Sequence, residues 1–272
     1  MKDYYGFDRE QLLKAPNIPL RIFENSQAVF REMAREMATE IRKNNEKDRR
    51  TVMICPVGPV RQYPYFTELV NRERLKLDQV WILNMDEYLT GEGDWIPKED
   101  SLSFRGFMER EVYGRIDPKL LMPKEQRVFP DPRELSRIPE LIRQLGGVDI
   151  CFGGIGINGH VAFNEADPSM SSEIFLEQSV RILKIREETR AVNAVGSLGG
   201  ALEDMPHLCV TIGMKEIFGA KKIRLGCFRD WHRGVVRRAA YGERTPEFPV
   251  TLLAVHRDIA IWMPESVAEP FR

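Results

Sequence analysis

Apolar residues along this 272-residue chain alternate between two spacings. Between residues 26 and 43 they fall at Val29, Met33, Met37 and Ile41 with charges between them, the period of a helix with one face on a core. Short apolar runs interrupt such stretches: Thr51 to Val57, Gln79 to Met85, Val148 to Phe152, Val180 to Ile185, Leu208 to Ile212, Ile223 to Phe228 and Ile259 to Met263. Runs this short and this apolar suit strands covered on both faces. Residues 62–76, 103–113 and 133–145 return to helical spacing, and Gly146-Gly147 stops the last of them. The alternation predicts an α/β fold, a single Rossmann-like domain whose mainly parallel sheet carries helices on both faces. Residues 1–20, with Pro16 and Pro19, read as an N-terminal extension to a domain over 21–272, and residues 90–100 read as a polar surface loop.

Composition narrows the picture by exclusion. Lys plus Arg number 40 against 41 Asp plus Glu, a net charge of -1, which gives no electrostatic reason to expect nucleic acid or an anionic membrane as partner. The N-terminus lacks the apolar stretch of a signal peptide, and no run reaches the roughly 18 residues of a membrane span, so a cytoplasmic protein is expected. Cys55, Cys151, Cys209 and Cys227 lie far apart in or beside apolar runs, as buried free thiols do. No pair of histidines, or of His and Cys, has metal-ligand spacing, so no metal site is expected.

Chemistry concentrates at two strand ends. The Val148 run leads into Gly153-Gly154-Ile155-Gly156-Ile157-Asn158-Gly159-His160, followed by Val161-Ala162-Phe163-Asn164-Glu165. Glycines let a backbone approach a ligand closely, and the ends of parallel strands line the crevice of open α/β sheets. His160 is one of four histidines and the only one in a glycine-rich loop; Glu165 can orient it if the loop curls back. Asp86 and Glu87 close the Gln79 run, where a carboxylate can take a proton from a ligand or can cap a helix or turn. Gly154 to Gly159 also matches G-x-G-x-x-G, but Pro168 follows too soon for the helix that a dinucleotide site requires.

These residues resemble the glucosamine-6-phosphate deaminase (isomerase) family. The similarity runs from about residue 21 to the end and rests on the Gly153–Glu165 segment and Asn84-Met85-Asp86-Glu87-Tyr88. Weaker echoes are Ser103 to Met108 and Pro249 to His256. The Ala-Phe-Asn-Glu ending separates this pattern from the related 6-phosphogluconolactonases. The resemblance implies that Asp86 shuttles a proton between C2 and C1 of an opened amino sugar. His160 would promote ring opening, with Glu165 as its partner and Asn158 where the family commonly has aspartate. A C2 imine would then be hydrolysed to a ketose and ammonia, with no metal or organic cofactor. The partner is a small sugar, and a homo-oligomer remains an open option.

The resemblance breaks at the distal end of the site. The family's hydroxyl-rich phosphate loop is replaced by Pro56-Val57-Gly58-Pro59-Val60-Arg61-Gln62. Its phosphate-binding arginine falls on Val195 and its lysine on His232. Weak binding of glucosamine-6-phosphate is therefore expected, unless Arg61, Arg229 or Arg233 supplies the missing charge, and Arg61 is expected to line the distal pocket. Expected substrate contacts are Gly58, Arg61, Glu87, Gly154, Gly156 and His232. Two other readings remain: isomerisation or ring opening of an unphosphorylated sugar derivative, and a non-catalytic sugar-binding regulator. The intact Asp86, Glu87, His160 and Glu165 argue against the second.

Overall fold

A computed structural model describes residues 2–270. In chain order the elements are α1 (Arg9–Lys14), β1 (Leu20–Phe23), α2 (Ser26–Asn45), β2 (Thr51–Cys55), α3 (Gln62–Glu73), β3 (Val80–Asn84) and β4 (Asp86–Leu89). There follow α4 (Phe104–Glu111), β5 (Arg127–Val128), α5 (Arg137–Leu145), β6 (Ile150–Gly154), α6 (Ser172–Leu176), β7 (Arg181–Lys184) and α7 (Glu187–Ser197). The chain closes with β8 (Leu208–Thr211), α8 (Met214–Phe218), β9 (Ile223–Gly226), α9 (His232–Tyr241), β10 (Ile259–Pro264) and α10 (Glu265–Ala268). Among the described residues no helix is long and apolar enough to cross a membrane.

Seven strands form one parallel sheet in the order β1-β10-β9-β6-β2-β3-β5. The interior strand β2 is buried along its whole length, as its uninterrupted apolar run requires. Helix α2 starts where the Asn25 side chain accepts from the Ala28 amide at 2.9 Å. It lays Val29, Met33, Met37 and Ile41 into a core shared with α3 and the sheet. Helix α5 ends at Gly146, whose φ of 83° is the left-handed stop that glycine permits. From β2 the chain moves outward through β3 to β5, then returns through β6 to the other side of β2. The order therefore reverses between β2 and β6, and the carboxyl ends of strands at such a reversal are where open α/β sheets form a ligand crevice.

Three findings depart from the expected single sheet. The Val180 and Leu208 runs are strands, but they pair antiparallel with each other and with Asp86–Leu89 in a separate three-stranded sheet, ordered β4-β8-β7. Their burial fits that setting: β7 alternates between half-buried and exposed positions, unlike the sealed β2. Strands β1 and β5 are also present, four and two residues long, too short for apolar spacing to announce them. At the N-terminus Leu12 and Ile18 are fully buried, and Arg237 on α9 donates to the Phe7 carbonyl at 2.7 Å.

Candidate active site

Asp86 does not end a strand; it begins one. The main sheet lets go of the chain after Asn84, and Met85 bridges the two sheets. Its amide donates to Cys55 O at 3.0 Å and its carbonyl accepts from Ile212 N at 2.8 Å. Asp86 then pairs with Thr211 as the first residue of β4. Its carboxyl is 7% exposed and, among the described residues, has no hydrogen-bond donor. Burial, with the neighbouring Glu87 carboxylate adding to it, pushes its pKa up to about 8. Such a group sits near the working range of a general base.

Glu87, the next residue, is in the opposite situation. It is completely buried and accepts five hydrogen bonds, from the amides of Tyr88, Phe104 and Arg105, the Ser103 hydroxyl, and Arg105 Nε. It caps the start of α4, a duty it shares with Ser103, whose hydroxyl accepts from the Gly106 amide at 3.1 Å. The expectation that Glu87 contacts substrate is thereby corrected: its lone pairs are taken by the protein.

The His160 loop folds back on itself. Ala162 adopts a left-handed φ of 55°, and Gly159, at 81°, turns beneath the Phe248 ring, where a methyl group would meet ring carbon at 2.5 Å. Asn164 is buried and pins the loop to β8, donating to Ile212 O at 3.0 Å, while Phe163 N donates to Thr211 Oγ1 at 3.1 Å. Thr211 thus pairs with Asp86 through the backbone and holds the histidine loop through its hydroxyl. Met85 closes the gap from the other side, its Cε lying 3.1 Å from where a methyl group on Gly153 would stand.

Within this loop the protonation of His160 follows from its neighbours. Asn158 Nδ2 donates to Glu165 Oε2 at 2.7 Å and to Glu188 Oε1 at 3.2 Å. Ionised carboxylates only accept, so the Asn158 amide nitrogen must face them and its oxygen must face the imidazole. That oxygen is 2.7 Å from His160 Nδ1, which therefore carries a proton. In the neutral ring this tautomer leaves the lone pair on Nε2, and the side chain is 13% exposed. Glu165 Oε2 also accepts from Thr189 at 3.2 Å and lies 3.4 Å from His160 Nδ1. Burial works to raise the Glu165 pKa, but His160, Asn158 and Thr189 together outweigh it and hold the carboxyl below its ordinary value. Thr189 and Glu188 on α7 were not anticipated, because nothing local marks a residue some thirty positions away in sequence as a partner of this loop.

The remaining expected contacts divide. Gly156 donates its amide to His160 O at 2.9 Å, and a methyl group on it would fall 1.9 Å from the imidazole Cε1. It is a platform for the ring, and its amide is not free for substrate as expected. His232 is corrected too. Its Nδ1 accepts from the Phe228 and Arg229 amides, and its Nε2 donates to Ile155 O at 3.0 Å. Burial depresses its pKa to about 4, so it is a neutral staple between two loops and not a cation for phosphate. Gly154 ends β6 beside Gly226, with Gly58 and Pro59 packed against it. Gly58 is exposed at the loop tip, and Arg61 is exposed at the start of α3 with no ion pair among the described residues. Arg233 donates to Pro270 O and lies 3.8 Å from Glu269. Arg229 reaches across to α7, where a methyl group on Gly196 would stand 2.9 Å from its Nη1. That glycine is next to the exposed Val195.

The fold is that of an α/β protein whose His160 loop leaves the parallel sheet where the strand order reverses. Comparison with known proteins narrows the class. The glucosamine-6-phosphate deaminase of Shouchella clausii is 30% identical over 198 residues, 71% of this chain and 73% of the relative. That of Clostridium perfringens is 27% identical over 258 residues, covering 92% and 98%. Among solved structures, a monomeric glucosamine-6-phosphate deaminase described as a missing link of the NagB superfamily superposes with a TM-score of 0.79 at 24% identity, covering 92% of this chain and 99% of that one. A 6-phosphogluconolactonase from Thermotoga maritima shares the fold at a TM-score of 0.63 and 13% identity, covering 90% and 98%. No family model matches the chain. The chain belongs to the glucosamine-6-phosphate deaminase family.

Proposed function

We propose that this protein isomerises and deaminates a hexosamine phosphate, with glucosamine-6-phosphate as the leading candidate. The observation that carries the reading is the joint hold of Thr211, which pairs with Asp86 through the backbone and accepts from Phe163 N of the His160 loop, so that an undonated carboxyl and an imidazole held through Nδ1 are anchored to one residue of β8. In this mechanism Nε2 takes the proton of the anomeric hydroxyl and delivers it to the ring oxygen as the C1–O5 bond breaks. The imidazole is held throughout by Asn158 and Glu165. Ionised Asp86 removes the C2 proton as the C1 carbonyl oxygen takes one from water, giving an enolamine, and returns its proton to C1 as the amino group releases one to water. The resulting C2 imine is hydrolysed by water to the ketose and ammonia.

The distal phosphate requires a cation that the apolar loop Val57–Val60 does not offer. Arg229 is the best placed of the three candidate arginines, since Arg233 is engaged at the C-terminal segment and Arg61 starts a helix in solvent. The His232 ring fixes the Arg229 backbone amide, so the lost lysine position would act through a neighbour. A second reading, an unphosphorylated amino sugar, draws on Val57, Pro59 and Val60 in place of hydroxyls and an amide donor.

Ammonia release measured with glucosamine-6-phosphate and with glucosamine decides between the two. The phosphorylated sugar should turn over, and Arg229→Ala should raise its KM by about tenfold or more, as loss of a charge-assisted hydrogen bond does. Turnover of glucosamine alone, indifferent to Arg229→Ala, selects the second reading. No ammonia from either sugar defeats both.

A further inference from the structure

A cavity ringed by cations opens at the carboxyl end of β5, the outer neighbour of β3, and the deamination reading makes no use of it. It encloses about 250 Å³ between α4, the loop before it and the start of α5. Five cations line it, Lys98, Arg105, Lys124, Arg127 and Arg137, against a single carboxylate, Glu109. The whole chain has a net charge of -1, so this is a local concentration of positive charge and not a property of the surface at large.

Two of the cations are built in. Arg105 is 12% exposed, lies over the Trp95 ring at 4.4 Å, and commits Nε to Glu87 and Nη2 to Ile96 O. Arg127 lies over the Tyr113 ring at 4.8 Å and commits Nε and Nη2 to Met122 O. In both, Nη1 has no partner among the described residues. Lys98, Lys124, Arg127 and Arg137 pair with no carboxylate among the described residues, although nearby arginines such as Arg133 find one. Holding four unpaired cations around one cavity costs free energy through mutual repulsion, and an anion removes that cost.

We propose that this cavity binds a small phosphorylated metabolite at a site separate from the sugar crevice. Fixed guanidinium groups with a free edge suit phosphate oxygens, and the lysines add point charges. The volume falls just under the roughly 300 Å³ where pockets for drug-sized ligands begin, which fits a sugar phosphate or pyrophosphate better than a larger occupant. None of Asp86, Asn158, His160, Glu165 and Arg229 lines it.

Calorimetric titration of the whole protein at about 0.15 M salt, where unspecific surface attraction is largely screened, tests the proposal. The probes are pyrophosphate and glucose-6-phosphate. Saturable binding of at least one probe is expected, weakened about tenfold or more in Lys124→Ala/Arg137→Ala. Both side chains are exposed, so the variant should melt like the wild type. The same binding should survive Arg229→Ala. Absence of saturable binding overturns the proposal. So does binding lost in Arg229→Ala but kept in the double variant, which assigns the anion to the sugar crevice; that crevice's own role is judged separately by ammonia release.

Discussion

The two walls of the crevice treat a carboxyl group in opposite ways. On the β6 side Glu165 is surrounded by His160, Asn158 and Thr189 and stays ionised below its ordinary pKa. On the β4 side Asp86 is buried without a donor, and its pKa rises to about 8. One wall holds a charged carboxyl against an imidazole; the other leaves its carboxyl without a donor among the described residues. Adjacent residues repeat the contrast, since Glu87 has five donors and Asp86 none. Burial alone does not assign a role. The donors around the buried group do.

The strongest test removes the undonated carboxyl. Asp86→Asn should lower kcat by ~10²–10⁴-fold, as loss of a general base does, with the fold intact by circular dichroism. Ammonia release within twofold of wild type would remove Asp86 from the chemistry. On the structural side of the contrast, Glu87→Ala uncaps α4 and strands Arg105, so a loss of about 3–5 kcal/mol in urea unfolding is expected. A Glu87→Ala protein as stable as wild type but inactive would return Glu87 to the list of substrate contacts.

The walls should also respond oppositely to pH. The folded-state pKa of Asp86 lies above its ordinary 3.8, so between there and about 8 the folded state keeps a proton that the unfolded chain has released. Stability contributed at this site is full below pH 4 and is lost as pH rises through 8, to the extent of a few kcal/mol at ~1.4 kcal/mol per pKa unit. Glu165 acts in the other sense: its contribution is present above pH 4.5 and is lost as pH falls through its lowered folded value. Urea midpoints of wild type and Asp86→Asn should converge near pH 4 and separate by pH 8, with the variant the more stable. Parallel curves would mean that Asp86 is ionised in the folded protein. The smallest effect is expected at Thr189→Val, which removes one of the Glu165 donors: about 0.5–1.5 kcal/mol of stability and a modest fall in kcat.

Much of this was legible in the chain. The long apolar stripe of α2 and the sealed runs of β2, β6 and β9 specify their elements locally, because a helix or buried strand repeats one environment along its length. The glycine loop and its histidine were legible for a related reason: the close approach of the His160 ring to Gly156 leaves space for no side chain. Glu87 shows the limit. Strand-end position leaves capping and substrate contact equally open, and only the docking of α4 onto β4 supplies the donors that choose capping.

Sequence by itself determined the α/β alternation and the glycine loop that carries His160, each of which depends on residues within about ten positions of one another. Tertiary structure alone decided that Asp86 opens a second, antiparallel sheet. It also decided that Asn158 turns its oxygen to His160, that His232 is a neutral staple and that Arg229 reaches α7. Each depends on contacts between segments distant along the chain, and the protonation and hydrogen bonding of a polar side chain are set by whatever those contacts bring to it.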